Sequence, residues 1–169
     1  MSSMEQLYQQ VILDHARAPH GRGLVPAPAD AVAGESHQVN PTCGDEVTLR
    51  VAFRPAPDGA PDGSLVDEVT WEGQGCSISQ ASVSVLTDLV TGADLRTVDE
   101  LSETFRLLMH ARGAGLDDAQ EDTLGDATAF TGVAKYPARI KCALLGWAAL
   151  KDAIAKSGVV VPTHVKEQA

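Results

Sequence analysis

The chain is short of basic residues, of long apolar runs and of cysteine, and each shortage excludes a class of function. Lys and Arg number 13 against 23 Asp and Glu, which gives a net charge of −10. This balance disfavours nucleic acid, whose binding depends on neutralised phosphates, and anionic membrane surfaces. No apolar run is long enough to cross a bilayer, and the N-terminal residues show no secretory signal. We therefore expect a cytoplasmic protein without nucleic-acid or membrane partners, whose acidity mostly serves solubility.

Cysteine occurs only three times, as Cys43, Cys76 and Cys142. An odd number at wide spacing argues against a disulfide framework in a cytosolic chain and leaves metal binding, catalysis or simple burial. The chain also lacks a Walker loop, a Rossmann glycine motif, a Gly-x-Ser-x-Gly turn and a His-Glu-x-x-His motif. Three sulfurs and the nearby carboxylate of Asp45 supply four ligands, the number that a tetrahedral metal site requires.

The first half of the chain predicts one helix followed by a small antiparallel sheet. Apolar residues at helical spacing predict a helix over residues 4–18. Alternating apolar and polar residues predict strands at 47–53 and, less regularly, at 65–71, with a weaker strand at 35–39. Two Pro-Asp-Gly turns predict an exposed hairpin loop at 55–63.

The second half predicts three helices, each with a recognisable start and stop. They run from a cap at Ser77 or Ser79 to about Val90, from a Thr97–Glu100 capping box to Arg112, and from Pro137 to a stop at Gly158. Residues 116–132 are acidic and show no clear period. The pattern as a whole predicts one α+β domain over residues 1–169, with helices packed on one side of the sheet. We expect its core to span about 4–156 and a flexible tail to occupy about 159–169.

Cys43 and Asp45 lie in the loop before the most regular strand. Pro41 holds the chain extended before Cys43, and Gly44 permits an unusual backbone turn, so both side chains can point the same way. Asp45 can equally support the turn by accepting a hydrogen bond from a backbone amide. From these residues alone, the ligand role and the turn role have about equal support.

The other two cysteines have different surroundings. Cys76 lies between a glycine-flanked turn and a helix, where unpaired amides favour the thiolate that binds metal or attacks sulfur. Cys142 lies one turn inside the last helix, where core packing is the more common role of an isolated cysteine. Arg139, three residues earlier, faces the same side of that helix. It either stabilises a thiolate or an incoming persulfide, or is simply solvated. The five histidines do not cluster with the cysteines in sequence, and we expect surface or core positions for them.

The three cysteine motifs together resemble a known family. Residues 40–45 (NPTCGD), 73–82 (GQGCSISQAS) and 139–142 (RIKC) look like the motifs of the IscU/NifU superfamily of iron–sulfur assembly proteins. The resemblance is greatest to the SufU branch, whose first helix is similar to residues 7–15. Two departures from classical scaffolds are features of that branch. Lys141 stands where scaffolds have His before the third cysteine, and the stretch between the second and third cysteines is longer.

The resemblance implies a fold, a metal, a partner and an activity. The fold is IscU/SufU-like, with an N-terminal helix, a three-stranded antiparallel sheet and a C-terminal helical half. The metal is zinc, held by Cys43, Asp45, Cys76 and Cys142. The partner is a PLP-dependent cysteine desulfurase of the SufS type, with a downstream SUF scaffold as a further partner. The implied activity is the acceptance and relay of persulfide sulfur by Cys43 in iron–sulfur cluster assembly, with Arg139 assisting.

Two alternatives stay open at this stage. The same thiolates and carboxylate suit iron as well as zinc, so the chain could serve as a scaffold that assembles a transient [2Fe–2S] cluster. It could also be a structural zinc adaptor that only binds the desulfurase.

Overall fold

The computed structural model describes residues 3–56 and 64–159 and shows an α+β fold, as predicted. Its elements are, in order, α1 (Ser3–Arg17), β1 (Val32–Asn40), β2 (Asp45–Pro55), β3 (Ser64–Gln74), α2 (Ser77–Val90), α3 (Leu95–His110), α4 (Asp118–Leu124), a 3₁₀ helix (Gly125–Lys135) and α5 (Pro137–Ser157). Most of the predicted hairpin loop, residues 57–63, and the tail from residue 160 lie outside the described residues. Among those described, no helix is both long and apolar enough to cross a membrane.

The sheet has the strand order β1-β2-β3, and both neighbouring pairs are antiparallel. Its apolar face is the alternating set predicted for β2, since Val47, Leu49, Val51 and Phe53 are all buried. Trp71 of β3 pairs with Leu49 and extends that face. Exposed and half-buried polar side chains occupy the opposite face of β2, so the helices cover one side of the sheet, as predicted.

Helix α5 lies directly on the backbone of β1. A Cβ atom on Gly34 would be only 1.9 Å from the carbonyl oxygen of Ala153, so no side chain fits between strand and helix at this point. Further along the contact, Ser36 donates a hydrogen bond to the Asp152 carboxylate over 2.6 Å. This close approach sets the position of α5, and therefore of Cys142, relative to the strand that leads to Cys43.

Helix α2 is buried between α1 and α5, and three of its buried residues are serines. Ser79 Oγ donates to the carbonyl of Cys76 at 3.0 Å, and Ser82 Oγ donates to the carbonyl of Ala143 in α5 at 2.6 Å. Ser84 Oγ lies 2.7 Å from Nδ1 of His15 in α1. Each hydroxyl is therefore satisfied, and two of them bond to a neighbouring helix.

Two predicted N-cap residues are wrong. Helix α2 has Cys76 rather than Ser77 or Ser79 at its N-cap, and the Cys76 side chain forms no cap hydrogen bond. Helix α3 begins after Asp94, whose carboxylate accepts a hydrogen bond from the Thr97 amide at 2.8 Å. Thr97 is thus inside the helix rather than at its cap.

The remaining helices agree with the prediction or fill its gaps. Helix α1 begins and ends within one residue of the predicted bounds, and Ile12 packs partly buried against the core, but Leu7 is 57% exposed. The acidic stretch 116–132 forms α4 and most of the 3₁₀ helix, which buries Phe130. Helix α5 starts at Pro137, and Gly158 ends it in the left-handed conformation, as predicted.

Candidate metal site

The turn between β1 and β2 carries Cys43. Gly44 adopts a φ of +75°, which L side chains rarely adopt, and its amide donates to the carbonyl of Asn40 at 2.8 Å. The chain then enters β2 at Asp45, which pairs with Asn40. This tight turn leaves Cys43 exposed while Asp45, two residues later, is only 2% exposed. The sequence-based expectation that both side chains point the same way is confirmed, because Cys43 Sγ lies 3.1 Å from Asp45 Oδ2.

The carboxylate of Asp45 joins the first two cysteine motifs. Its Oδ1 accepts a hydrogen bond from the amide of Cys76 at 3.0 Å, at the start of α2. Its Oδ2 faces the thiols and lies 3.8 Å from Cys76 Sγ. Gly75 permits this contact, since a Cβ there would be 2.4 Å from Asp45 Oδ1. One oxygen of Asp45 therefore accepts a hydrogen bond from a backbone amide while the other faces the thiols, a geometry compatible with both roles considered for it.

Helix α5 brings Cys142 to the same place. Its Sγ lies 3.7 Å from Cys43 Sγ, although 99 residues separate the two in sequence. Cys142 is 1% exposed and is therefore buried, as its sequence context suggested, yet its sulfur faces the other ligand candidates. Cys43, Asp45 and Cys142 form a group whose potential ligand atoms all lie within 4.8 Å of one another. Cys76, half-buried, borders this group through Asp45.

The ionisation of the group follows from its burial and hydrogen bonds. Burial acts to raise the pKa of the Asp45 carboxyl, but hydrogen bonds from the Cys142 and Cys43 thiols and from the Cys76 amide outweigh it, so this pKa is lowered overall. Burial is also the largest reason that the pKa of the Cys142 thiol is raised, and the neighbouring Asp45 carboxylate raises it further. Without a metal, the group therefore holds an ionised carboxylate and a protonated Cys142 thiol. A cation that binds there must displace this proton.

The spacing of the donor atoms fits zinc. Zn–S bonds of about 2.3 Å in a tetrahedron put two sulfurs about 3.8 Å apart, and a Zn–O bond of about 2.0 Å puts oxygen about 3.5 Å from sulfur. The observed sulfur–sulfur distance is 3.7 Å, and the two sulfur–oxygen distances are 3.1 and 3.8 Å. The Cys43–Cys142 spacing therefore matches that of two zinc-bound sulfurs, whereas Cys76 lies outside the group whose ligand atoms are all within 4.8 Å of one another.

Arg139 is not part of this group. It lies in the first turn of α5 and is exposed. Within the described part of the chain its side chain forms no hydrogen bond or ion pair. Lys141, next to Cys142, is exposed as well. The role predicted for Arg139 near an incoming persulfide stays a prediction.

A second cluster of potential ligands lies elsewhere and was missed from the sequence. It comprises His15, His20 and Asp88. The histidines were expected to be isolated surface or core residues, and His15 is indeed buried. No short-range pattern signals the cluster, because Asp88 joins it from α2 only through tertiary packing.

Comparisons with known proteins find relatives over most of the chain. Residues 7–143 match the family described as the NifU-like N terminal domain. The chain is 39% identical over 155 residues to the zinc-dependent sulfurtransferase SufU of Bacillus subtilis (strain 168), an alignment covering 92% of this chain and 94% of that protein. It is 37% identical over 158 residues to the iron-sulfur cluster assembly scaffold protein IscU of Streptococcus pyogenes serotype M1, covering 93% and 88% of the two chains.

Solved structures show the same fold. The crystal structure of FiSufU, a SUF-system protein of the thermophilic Fervidobacterium islandicum AW-1, superposes with a TM-score of 0.68 at 30% identity. That superposition covers 90% of this chain and 99% of the other. A NifU-like N-terminal protein from Brucella abortus gives a TM-score of 0.71 at 22% identity, over 92% and 97% of the two chains, and supports the fold alone.

Proposed function

Because the chain belongs to the NifU-like N-terminal domain family and is a protein of the IscU/SufU scaffold type, we propose that it accepts sulfur from a PLP-dependent cysteine desulfurase and relays it in iron–sulfur cluster assembly. One observation carries the proposal. An exposed thiol, Cys43, lies within 3.7 Å of a buried thiol, Cys142, and within 3.1 Å of the Asp45 carboxylate. This group combines metal ligands with a thiol that a partner can reach.

Cys43, Asp45, Cys76 and Cys142 are the residues that would hold zinc. When bound, zinc supplies a redox-inactive positive charge that keeps the thiols ionised at neutral pH. Asp45 is the anchored ligand, since its other oxygen is already hydrogen-bonded to the Cys76 amide. Cys142 is held within α5 and buried. Cys43, on a turn and exposed, is the ligand best placed to exchange.

The transfer itself needs no outside oxidant or reductant. The Cys43 thiolate attacks the terminal sulfur of the persulfide on the desulfurase. The new S–S bond forms on Cys43, the old S–S bond breaks, and the desulfurase cysteine leaves as a thiolate. The product is a persulfide on Cys43, ready to pass its terminal sulfur to a later acceptor by the same exchange.

The surface beside the site supports a protein partner. An apolar groove runs between α1, the start of α2 and the 3₁₀ helix, and its lining includes Tyr8, Ile12, Ile78, Val133 and Tyr136. Two of its lining residues, Leu13 of α1 and Tyr136, are large apolar side chains that remain 41% and 61% exposed. Exposed apolar side chains of this kind, clustered together, are typical of protein-binding surfaces. Ile78 is two residues from Cys76, so a desulfurase bound there would lie beside the thiols.

The relay role is tested by substitution of the acceptor thiol. Purified chain is mixed with a SufS-type desulfurase and cysteine, and both alanine formation and the gain of one sulfur atom on the chain are measured by mass spectrometry. We expect Cys43→Ala to remove both the stimulation of alanine formation and the added sulfur. Thr42→Ala, an equally exposed neighbour in the same turn, is the matched control and should retain both. Full stimulation by Cys43→Ala would contradict the relay and leave the adaptor function.

Arg139 is included in the proposal as an assisting residue. Arg139 lies one turn before Cys142 and is exposed, which supports a role in attracting an incoming anionic persulfide. Arg139→Gln should lower the rate of sulfur transfer several-fold at unchanged zinc content. Lys141→Gln removes an equal charge from an exposed neighbour and should have little effect. Equal rates of sulfur transfer for the two variants would show that Arg139 has no special role and is an ordinary solvated residue.

A scaffold for a [2Fe–2S] cluster is the second candidate. The 37% identity to a protein named as an iron-sulfur cluster assembly scaffold favours it, and thiolates bind iron as readily as zinc. Lys141 favours zinc instead, because it stands where classical scaffolds have a His, a feature of the SufU branch, whose Bacillus subtilis member is named zinc-dependent. Elemental analysis of the purified chain separates the two. About one zinc per chain supports the relay, whereas iron with acid-labile sulfide and visible absorption would favour the scaffold.

A further inference from the structure

Two histidines and an aspartate converge at the far end of α2 from the thiols. His20 Nδ1 lies 2.6 Å from Asp88 Oδ2, and the rings of His15 and His20 are 4.8 Å apart between centroids. One potential ligand atom from each of His15, His20 and Asp88 lies within 4.8 Å of the others. Asp126 adds a second carboxylate, 3.7 Å from His15 Nε2. Three separate parts of the chain therefore contribute to one cluster besides α2.

The histidines are held in place by contacts that leave ring nitrogens available. Ser84 Oγ lies 2.7 Å from Nδ1 of His15 and accepts a hydrogen bond from the backbone amide of His20 at 2.8 Å. Because Nδ1 of His15 is hydrogen-bonded to Ser84, its Nε2 is the ring nitrogen available to a metal. Metal-binding histidines commonly use one ring nitrogen for the metal and the other for a hydrogen bond. The indole of Trp71 donates to the carbonyl of His20 at 2.8 Å, which ties the loop after α1 to β3.

The cluster is open to solvent on one side. His15 is 8% exposed, whereas the side chains of His20 and Asp88 are 54% and 48% exposed. A cation can therefore enter from solvent and contact a buried imidazole behind two accessible ligands. His20 Nδ1 and Asp88 Oδ2, which are 2.6 Å apart, both face this open side and can both contact an entering cation.

We propose that His15, His20 and Asp88 form a second metal site, which takes a divalent transition cation of the zinc, cobalt or nickel type. Two imidazoles and a carboxylate are ligands that suit these ions, with Asp126 or water to complete the coordination. The site is separate from the thiols. Asp88 follows Cys76 by twelve residues along α2, which is about 18 Å at 1.5 Å per residue. The site goes beyond the proposed sulfur relay and contains no cysteine.

Cobalt is the probe that distinguishes the two sites. The full chain is first loaded with zinc, and Co²⁺ is then added under equilibrium dialysis with metal analysis and absorption spectroscopy. We expect about one further equivalent of cobalt per chain, with weak visible bands and no thiolate-to-cobalt charge transfer. His20→Asn and Asp88→Asn should each weaken this second equivalent at least tenfold. Zinc bound by the thiols should be unchanged in both variants.

His37→Asn is the matched control. His37 is also an exposed histidine next to a carboxylate, since its Nε2 lies 3.5 Å from Glu46 Oε2. This variant should bind the second cobalt like the parent. His20 and Asp88 are chosen over buried His15 because their exposure makes loss of folding a small risk, and a melting curve checks it. No second equivalent, equal binding by His20→Asn, or a charge-transfer band would each overturn the proposal, whatever the outcome for sulfur transfer.

Discussion

Replacement of Asp45 separates its contribution to the fold from its contribution to the metal. In the structure one carboxylate oxygen of Asp45 accepts a hydrogen bond from the Cys76 amide at 3.0 Å, and the other oxygen faces the thiols. The residue is only 2% exposed. Asp45→Ala removes both oxygens. Asp45→Asn keeps an oxygen for the amide but replaces the other with an NH₂ group, which is neither anionic nor a ligand.

The expected magnitudes differ for the two variants. In the metal-free protein, Asp45→Ala leaves the amide at the start of α2 without its partner, which costs about 1–3 kcal/mol of unfolding free energy. For a chain of this size, 2 kcal/mol lowers the melting temperature by roughly 4–8 °C. Asp45→Asn should lower the unfolding free energy by less, about 1 kcal/mol, because the hydrogen bond from the Cys76 amide is kept. Zinc should stabilise the parent more than either variant, since binding energy is gained only by the folded state.

The assay is chemical and thermal unfolding of each protein with and without zinc, together with zinc content after dialysis. Asp30→Ala removes an exposed carboxylate and should change the unfolding free energy by less than about 0.5 kcal/mol. If metal-free Asp45→Ala is as stable as Asp30→Ala and retains zinc like the parent, the carboxylate neither caps α2 nor binds the ion, and the reasoning fails.

Three further predictions follow from local geometry. Gly34→Ala should lower the unfolding free energy by several kcal/mol, roughly the scale of core overpacking, because its Cβ would be 1.9 Å from the Ala153 carbonyl oxygen. Gly75→Ala should weaken zinc binding with a smaller loss of stability, because its Cβ would displace the Asp45 carboxylate. Asp94→Ala should cost about 1 kcal/mol at neutral pH by removing the N-cap of α3. Hydrogen bonds lower the pKa of Asp94 below its ordinary 3.8, so its contribution is present above pH 4 and disappears as the pH falls through the lowered value.

Each of these predictions has a direct check. Gly132→Ala is the control for the glycine variants, because a Cβ there meets nothing within 4 Å. A Gly34→Ala urea midpoint equal to that of Gly132→Ala would contradict the close approach of α5. Unchanged zinc affinity in Gly75→Ala would contradict the contact with Asp45. A stability difference between the parent and Asp94→Ala that is as large at pH 2 as at pH 7 would contradict the capping carboxylate.

The sequence predicted the local elements well where a single rule applied. Alternation placed β2, and Pro137 and Gly158 marked the ends of α5. The start of α3 was wrong because two capping patterns overlap there. Both Asp94 and Thr97 have suitable side chains at suitable spacing, and the choice depends on Leu95, which is 2% exposed and must lie inside the helix to reach the core. Burial of this kind is a tertiary property.

The candidate site was predictable in composition but not in geometry. Each cysteine motif has a local signal, and the family resemblance joined them. The approach of Cys142 to Cys43 depends on how α5 packs against β1, which no local pattern encodes. The same holds for His20 and Asp88, which are 68 residues apart and meet where the loop after α1 is hydrogen-bonded to Ser84 of α2 and to Trp71 of β3. The 3₁₀ helix was not predicted from the sequence, because its period of three residues does not follow the α-helical pattern.

The buried serines of α2 have one more consequence. Hydrophobic contacts have no direction, so an interior helix with only apolar side chains is positioned by the shapes of its packed side chains alone. Ser82 and Ser84 give α2 two directional bonds to different neighbours, so its rotational setting and its axial position are both fixed. The positions of Cys76 at one end of α2 and of Asp88 near the other are fixed by the same two hydrogen bonds. Amide hydrogens of α2 should accordingly be among the slowest in the protein to exchange with solvent.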